Sequence, residues 1–276
     1  MRNGKERNAM NPILLAILLV GGIGLIAGAG LAIASVLMAV PRDEKAEQIE
    51  SLLPGANCGA CGYSGCAGYA AALAKGEAKA GLCAPGGKAA ADAIAAVLGQ
   101  SAVAVVRKTA VVRCMGSAAP DGQPPVQYTG IPSCAAAAQL DVNACRYGCL
   151  GFGDCAAVCP EQAIRVCTGP AGVPAAQVNP ARCVACGLCT QACPRRLIAV
   201  VPAEHQAMVR CANCDKGAQT RKTCVHGCIG CGKCAKVCES GAIRLENNLA
   251  QIDPAQCTAC GKCGEACPVG AIQYVR

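Results

Sequence analysis

The chain has 276 residues, of which 26 are cysteine, none is tryptophan and one is phenylalanine (Phe152); its formal net charge is +8. So heavy a cysteine load invites a disulfide-stapled secreted chain, but a chain this long builds ordinary cores and needs no dense stapling. The positive balance invites a nucleic-acid partner, yet it omits the negative charge that cysteines would carry as thiolates around any bound metal. No nucleic acid is expected.

The first element is residues 12–40, PILLAILLVGGIGLIAGAGLAIASVLMAV, which contain no charged side chain. Roughly 20 apolar residues cross a bilayer, so this longer run predicts one tilted transmembrane helix. A cleaved signal peptide is the competing reading, but its apolar region should run only roughly 7 to 15 residues. Gly22 and Gly24 form a G-x-G match that lacks the preceding strand of a dinucleotide site. Gly24 and Gly28, with Gly30 and Ala34 behind them, offer a smooth face for a second membrane helix, a spacing that chance also supplies in a Gly/Ala-rich run. Arg2, Lys5 and Arg7 precede the run, and Arg42 and Lys45 follow it. That count leans toward an N-terminus inside. Cluster-bearing domains are normally exported already folded behind a twin-arginine signal, which is not present here. Cluster chemistry outweighs a one-charge bias, and the soluble part is expected on the cytoplasmic side of the inner (cytoplasmic) membrane.

Next, PRDEKAEQIESLLPG predicts a short polar helix, followed by Cys58, Cys61 and Cys66 in NCGACGYSGC. The glycines permit tight turns that aim backbone N–H groups at sulfur. Residues 67–80 read as a helix returning the chain to Cys83, and Cys58, Cys61, Cys66 and Cys83 together suit one 4Fe–4S cluster. Residues 89–98, AAADAIAAVL, read as a linking helix, and Ser101 to Arg113 as a strand.

The remainder is duplicated. Val112-Arg113-Cys114 resembles Val209-Arg210-Cys211, and Cys145, Cys149, Cys155 and Cys159 match Cys224, Cys228, Cys234 and Cys238 at an offset of 79 residues. Each half closes on a C-x2-C-x2-C-x3-C-P run, in which three thiolates hold one cube and the fourth crosses to a second. Disulfides rarely use such runs, because neighbouring cysteines pointing into one space pair poorly with distant partners. Structural zinc takes four ligands, usually as two separated pairs.

The spacing assigns Cys228, Cys231, Cys234 and Cys267 to one cluster of the second half, and Cys257, Cys260, Cys263 and Cys238 to the other. Glu239 stands where a proline usually follows Cys238. In the first half Cys183, Cys186, Cys189 and Cys159 form a regular site. The remaining site is irregular, because Phe152 occupies the place of Cys231. Cys149, Cys155 and Cys193 supply three ligands there, with Cys145 expected as the fourth; a three-ligand or empty site is the competing reading. Cys114, Cys134, Cys167, Cys211, Cys214 and Cys224 are left over. Of these, Cys114, Cys134, Cys211 and Cys224 are the best set for a sixth cluster between the repeats, against a reading as buried free thiols. His205 and His226 lie on unrelated segments, which argues against a centre needing two histidines on one iron. No catalytic residue set stands out.

The expected organisation is α+β: an anchor at 1–41, a four-iron domain with its linker helix at 42–100, and tandem ferredoxin-like domains, each with two 4Fe–4S clusters, at 101–200 and 201–276. NCGACGYSGC resembles the four-iron domain of RnfB proteins and of the corrinoid iron–sulfur protein. With CLGFGDC, the CANCDKGA stretch and CGKCGEACP, the whole order resembles the long form of RnfB. That resemblance implies a subunit of an ion-translocating ferredoxin:NAD+ oxidoreductase, taking electrons from soluble ferredoxin toward other Rnf-type membrane subunits. A polyferredoxin subunit of a membrane hydrogenase or other reductase is the alternative, and it would not be expected to carry the four-iron domain.

Overall fold

A computed structural model describes residues 12–37, 43–101, 104–116, 120, 128–140, 142–168, 173–203 and 206–275. The chain divides into two compact units, Met1–Glu44 and Lys45–Arg276.

In the first unit, α1 (Pro12–Leu37) is 26 residues long, or about 39 Å at 1.5 Å per residue. Residues 38–40 of the expected span lie outside the described residues. Ile17, Leu19, Val20, Ile23, Leu25, Ile26 and Leu31 are all exposed. Apolar side chains face outward all round, the pattern of a helix solvated by lipid or by other apolar helices. Its central stretch, Ala16–Ser35, has a mean hydropathy of 2.4, and among the described residues no other helix is long and apolar enough to cross a membrane.

The second unit opens with three helices, α2 (Glu44–Ser51), α3 (Gly65–Ala74) and α4 (Gly87–Leu98). Ile49, Leu53, Tyr69, Leu73, Ala80 and Ile94 form their shared core. The helix expected over 67–80 stops at Ala74. Gly76 takes φ +76°, and the Glu77 N–H donates to the Ala72 carbonyl at 2.9 Å, a glycine-terminated end that satisfies the last carbonyls. The following loop is held by Tyr69, whose buried hydroxyl donates to the Lys79 carbonyl at 2.7 Å and accepts from the Leu82 N–H at 3.2 Å. Cys83 follows directly.

The duplicated region forms four antiparallel two-stranded ladders. In the first half β1 (Lys108–Val112) pairs with β4 (Ile198–Pro202), and β2 (Ile164–Thr168) with β3 (Pro174–Val178). The second half repeats this: β5 (Gln206–Val209) pairs with β8 (Ile272–Val275), and β6 (Ile243–Glu246) with β7 (Leu249–Ile252). The strand expected from Ser101 begins only at Lys108, paired with Pro202, with one further cross-strand bond from the Ala203 N–H to the Arg107 carbonyl at 2.8 Å. Short helices α5 (Cys134–Ala137), α6 (Asp154–Ala157), α7 (Leu188–Ala192), α8 (Gly217–Thr223), α9 (Lys233–Lys236) and α10 (Lys262–Glu265) lie between the strands.

Cysteines belong to both cores. Cys155 and Cys189 pack with Val112, Ile164, Leu197 and Ile198 in the first half, and Cys211, Cys228, Cys234 and Cys263 with Val209, Ile243 and Ile272 in the second. The halves are joined by arginines: Arg210 Nε donates to the Val112 carbonyl at 2.5 Å and Arg113 to the Cys211 carbonyl at 3.4 Å.

Candidate iron–sulfur centres

In the four-iron domain, Asn57 Oδ1 accepts the Cys66 N–H at 2.8 Å, tying both ends of the cysteine loop together. Gly65 is required there, since at φ +86° an added Cβ would lie 2.7 Å from that same oxygen. Burial pushes the Cys83 thiol upward, and Cys66, Cys58 and Cys61 push it further.

In the duplicated region, four cavities are each lined by four cysteines. Cys159, Cys183, Cys186 and Cys189 line one of them and Cys228, Cys231, Cys234 and Cys267 another, groupings that coincide with two of the expected sets. Of the last regular set, Cys238, Cys257 and Cys263 pack in one core, and Glu239, beside Cys238, forms an ion pair with Lys262 on α10.

At the irregular sites the cavities group the cysteines differently from the expectation: Cys134 lines one with Cys149, Cys155 and Cys193, and Cys145 lines another with Cys114, Cys211 and Cys224. Cys145 and Cys134 thus exchange the places expected from sequence. The reason lies in the backbone. The Gly148 N–H donates to the Cys145 carbonyl at 2.9 Å, and Arg195 bonds the carbonyls of Cys145 and Gly148 at 3.3 and 2.8 Å. This turn aims the Cys145 thiol at Asn213, whose Nδ2 lies 3.5 Å away. Cys134 arrives on α5, whose first residues are bonded to Asp154. Burial alone would push the Asp154 carboxyl up, but hydrogen bonds from Cys134, Ala135 and Ser133 outweigh it and hold it below its usual range.

Cys167 and Cys214 line none of these cavities. His226 lines the wall of the cavity between the halves, and His205 lies outside the described residues. Sequence reasoning missed Asn213, Asp154 and Arg195. Only Asp154 carried a signal, as an acid where the sister repeat has Lys233.

The donor set fits an iron–sulfur cube. Four cysteines line each of four cavities, the number of thiolates that one cube takes. Backbone N–H groups point at them: Ala163 at Cys159, Leu197 at Cys193 and Ala271 at Cys267, each four residues on, at 3.3, 3.4 and 3.3 Å. Such bonds stabilise thiolate and tune a bound cluster's potential. Burial pushes the Cys155 thiol to about 12 and the Cys114, Cys145, Cys189 and Cys234 thiols to about 11. At neutral pH these thiols hold their protons, and iron must displace them on loading.

Sites in the duplicated region are hydrogen-bonded to one another. The Cys149 N–H donates to Cys114 Sγ, and the Cys228 N–H to Cys211 Sγ, both at 3.3 Å.

Tandem four-cysteine sites on a duplicated two-ladder fold define an iron–sulfur electron carrier of the ferredoxin kind. Residues 53–85 match the FeS family, an Fe-S cluster domain, and residues 143–197, 227–271 and 182–243 match 4Fe-4S dicluster domains. Among curated relatives, the B component of the Na(+)-translocating ferredoxin:NAD(+) oxidoreductase complex of Acetobacterium woodii is 41% identical, over 90% of this chain and 74% of its own. The B component of the ion-translocating oxidoreductase complex of Methanosarcina acetivorans is 38% identical over 90% and 93%. That of the proton-translocating ferredoxin:NAD(+) oxidoreductase complex of Clostridium ljungdahlii is 38% identical over 90% and 87%. The chain belongs to this family, the RnfB proteins of ion-translocating oxidoreductase complexes.

Proposed function

We propose that this chain is the membrane-anchored iron–sulfur relay of an ion-translocating ferredoxin:NAD+ oxidoreductase, taking electrons from reduced soluble ferredoxin on the cytoplasmic side and passing them toward other membrane subunits of the complex. The observation that carries this reading is the series of neighbouring four-cysteine sites in a chain with one uncharged helix of membrane-spanning length.

Six sites are assigned to 4Fe–4S clusters: the four-iron set, three regular ferredoxin sets, and two revised sets. The revised sets are Cys134, Cys149, Cys155 and Cys193, and, between the halves, Cys114, Cys145, Cys211 and Cys224. When bound, such clusters supply one-electron redox capacity at potentials that thiolate ligation and hydrogen bonding set. The protein contributes ligands, N–H donors and spacing. A 59 mV difference between two sites shifts a one-electron equilibrium tenfold, so modest differences in burial and hydrogen bonding are enough to bias the direction of transfer. Ion movement itself is assigned to other subunits, since α1 carries no charge with which to bind an ion.

The test is solubilisation from anaerobic membranes. The chain is expected to co-purify with flavin-bearing membrane subunits, and its brown absorption to bleach on addition of reduced ferredoxin. Co-purification with a nickel–iron hydrogenase would overturn this reading in favour of a hydrogenase polyferredoxin.

A further inference from the structure

Within a single turn, apart from the conservative pair Leu150 and Ile229, the first half departs from its sister at two positions. Phe152 stands where the second half has Cys231, and Asp154 where it has Lys233. We propose that these departures form one device: Asp154 is a positioning residue that delivers Cys134, from a separate helix, as the fourth ligand in place of the thiolate that Phe152 lacks. The inference rests on the iron–sulfur reading of the sites and deepens it.

Three bonds make the delivery. The Asp154 carboxylate accepts the Ser133 hydroxyl at 2.9 Å, the Cys134 N–H at 2.9 Å and the Ala135 N–H at 3.0 Å. Both carboxylate oxygens are engaged by residues 133–135, so Asp154 is turned away from a role as ligand itself. Charge-assisted bonds of this kind are short and directional, and three of them fix the start of a four-residue helix too short to hold its place by propensity. Cys134 then lies buried in the cavity with Cys149, Cys155 and Cys193. Phe152 meanwhile packs its ring against Tyr128, with centroids 5.2 Å apart.

The second half shows what the device replaces. Cys231 there lines its own cavity directly. Lys233 at the Asp154 position is exposed, and no separate helix has to be brought in.

The test uses the full chain purified without oxygen, read by iron content and by electron paramagnetic resonance. Cys134→Ser is expected to lose about one iron per chain and to show the signal of an oxidised three-iron cluster, the product of a cube that has lost one cysteine ligand. Asp154→Ala should show the same signal although all 26 cysteines remain. Adding Phe152→Cys, which restores the sister ligand, should abolish the signal in both backgrounds but not in Cys145→Ser. A purely structural role for Asp154 would not be repaired by a new thiol at position 152. An Asp154→Ala chain with every cluster intact, or a Phe152→Cys change that repairs Cys145→Ser and not Cys134→Ser, would overturn the inference. A native chain devoid of sulfide would instead remove the iron–sulfur reading itself, which separates the two failures.

Discussion

A chain carrying Cys211→Ser and Cys224→Ser is expected to hold about 20 irons, against about 24 in the native chain, four for each of six cubes. The lost centre is the one between the halves. Cys114 and Cys145 come from the first half, Cys211 and Cys224 from the second. No ferredoxin run contributes to it, so the regular sites keep all their ligands. The site also bridges its neighbours, through Cys114 Sγ bonded to the Cys149 N–H on one side and Cys211 Sγ to the Cys228 N–H on the other. Electrons supplied at the C-terminal half should therefore reach the four-iron domain far more slowly in this variant. Rapid-freeze paramagnetic resonance after mixing with reduced ferredoxin measures both effects. Full iron content in the double variant would show that these cysteines are buried free thiols.

Gly230→Ala is expected to be the most damaging single-methyl change in the second half. Gly230 takes φ +62°, where an alanine costs about 1 to 2 kcal/mol. Its added Cβ would also stand 2.6 Å from the Asn248 carbonyl oxygen. That oxygen belongs to backbone and has no room to yield: Asn247 and Asn248, at φ +49° and +62°, form the tight turn joining β6 to β7. The clash must open the hairpin or displace Cys228 and Cys231 on either side, for a total of about 3 kcal/mol or more. Gly151, the equivalent in the first half, is pressed in the same way against Pro174, so the constraint belongs to the repeat. Gly241→Ala is the control, with φ +65° and nothing within 4 Å of its Cβ. Because cluster loss makes unfolding irreversible, the measurement is a rate. Bleaching in denaturant is expected to be about tenfold faster or more for Gly230→Ala and within about fivefold of native for Gly241→Ala, the latter a cost of about 1 kcal/mol. Equal rates would show that the hairpin does not brace the site.

What the sequence reveals follows what its signals measure. The uncharged run from Pro12 and the C-x2-C-x2-C-x3-C-P spacing are local patterns, and the membrane-length helix and the regular cysteine sets follow from them. The fourth ligand of the irregular site was not legible. Cys145 lies four residues from Cys149 and invites grouping with it, whereas its direction is set by Arg195, fifty residues away. Cys134 lies further along the chain from that site and is recruited by Asp154 across twenty residues. Hydrogen bonds between separate segments decide both, and spacing carries no record of them. The end of α3 was legible and overrun: after Ala74 the chain reads Lys-Gly-Glu-Ala-Lys-Ala, and Gly76 stops the helix there.

The most direct measurement is the metal and sulfide content of the full chain, purified from its membrane without oxygen. Iron and acid-labile sulfide are expected in equal amount, about 24 of each per chain. Zinc without sulfide, or cysteines recovered as disulfides, would contradict the account.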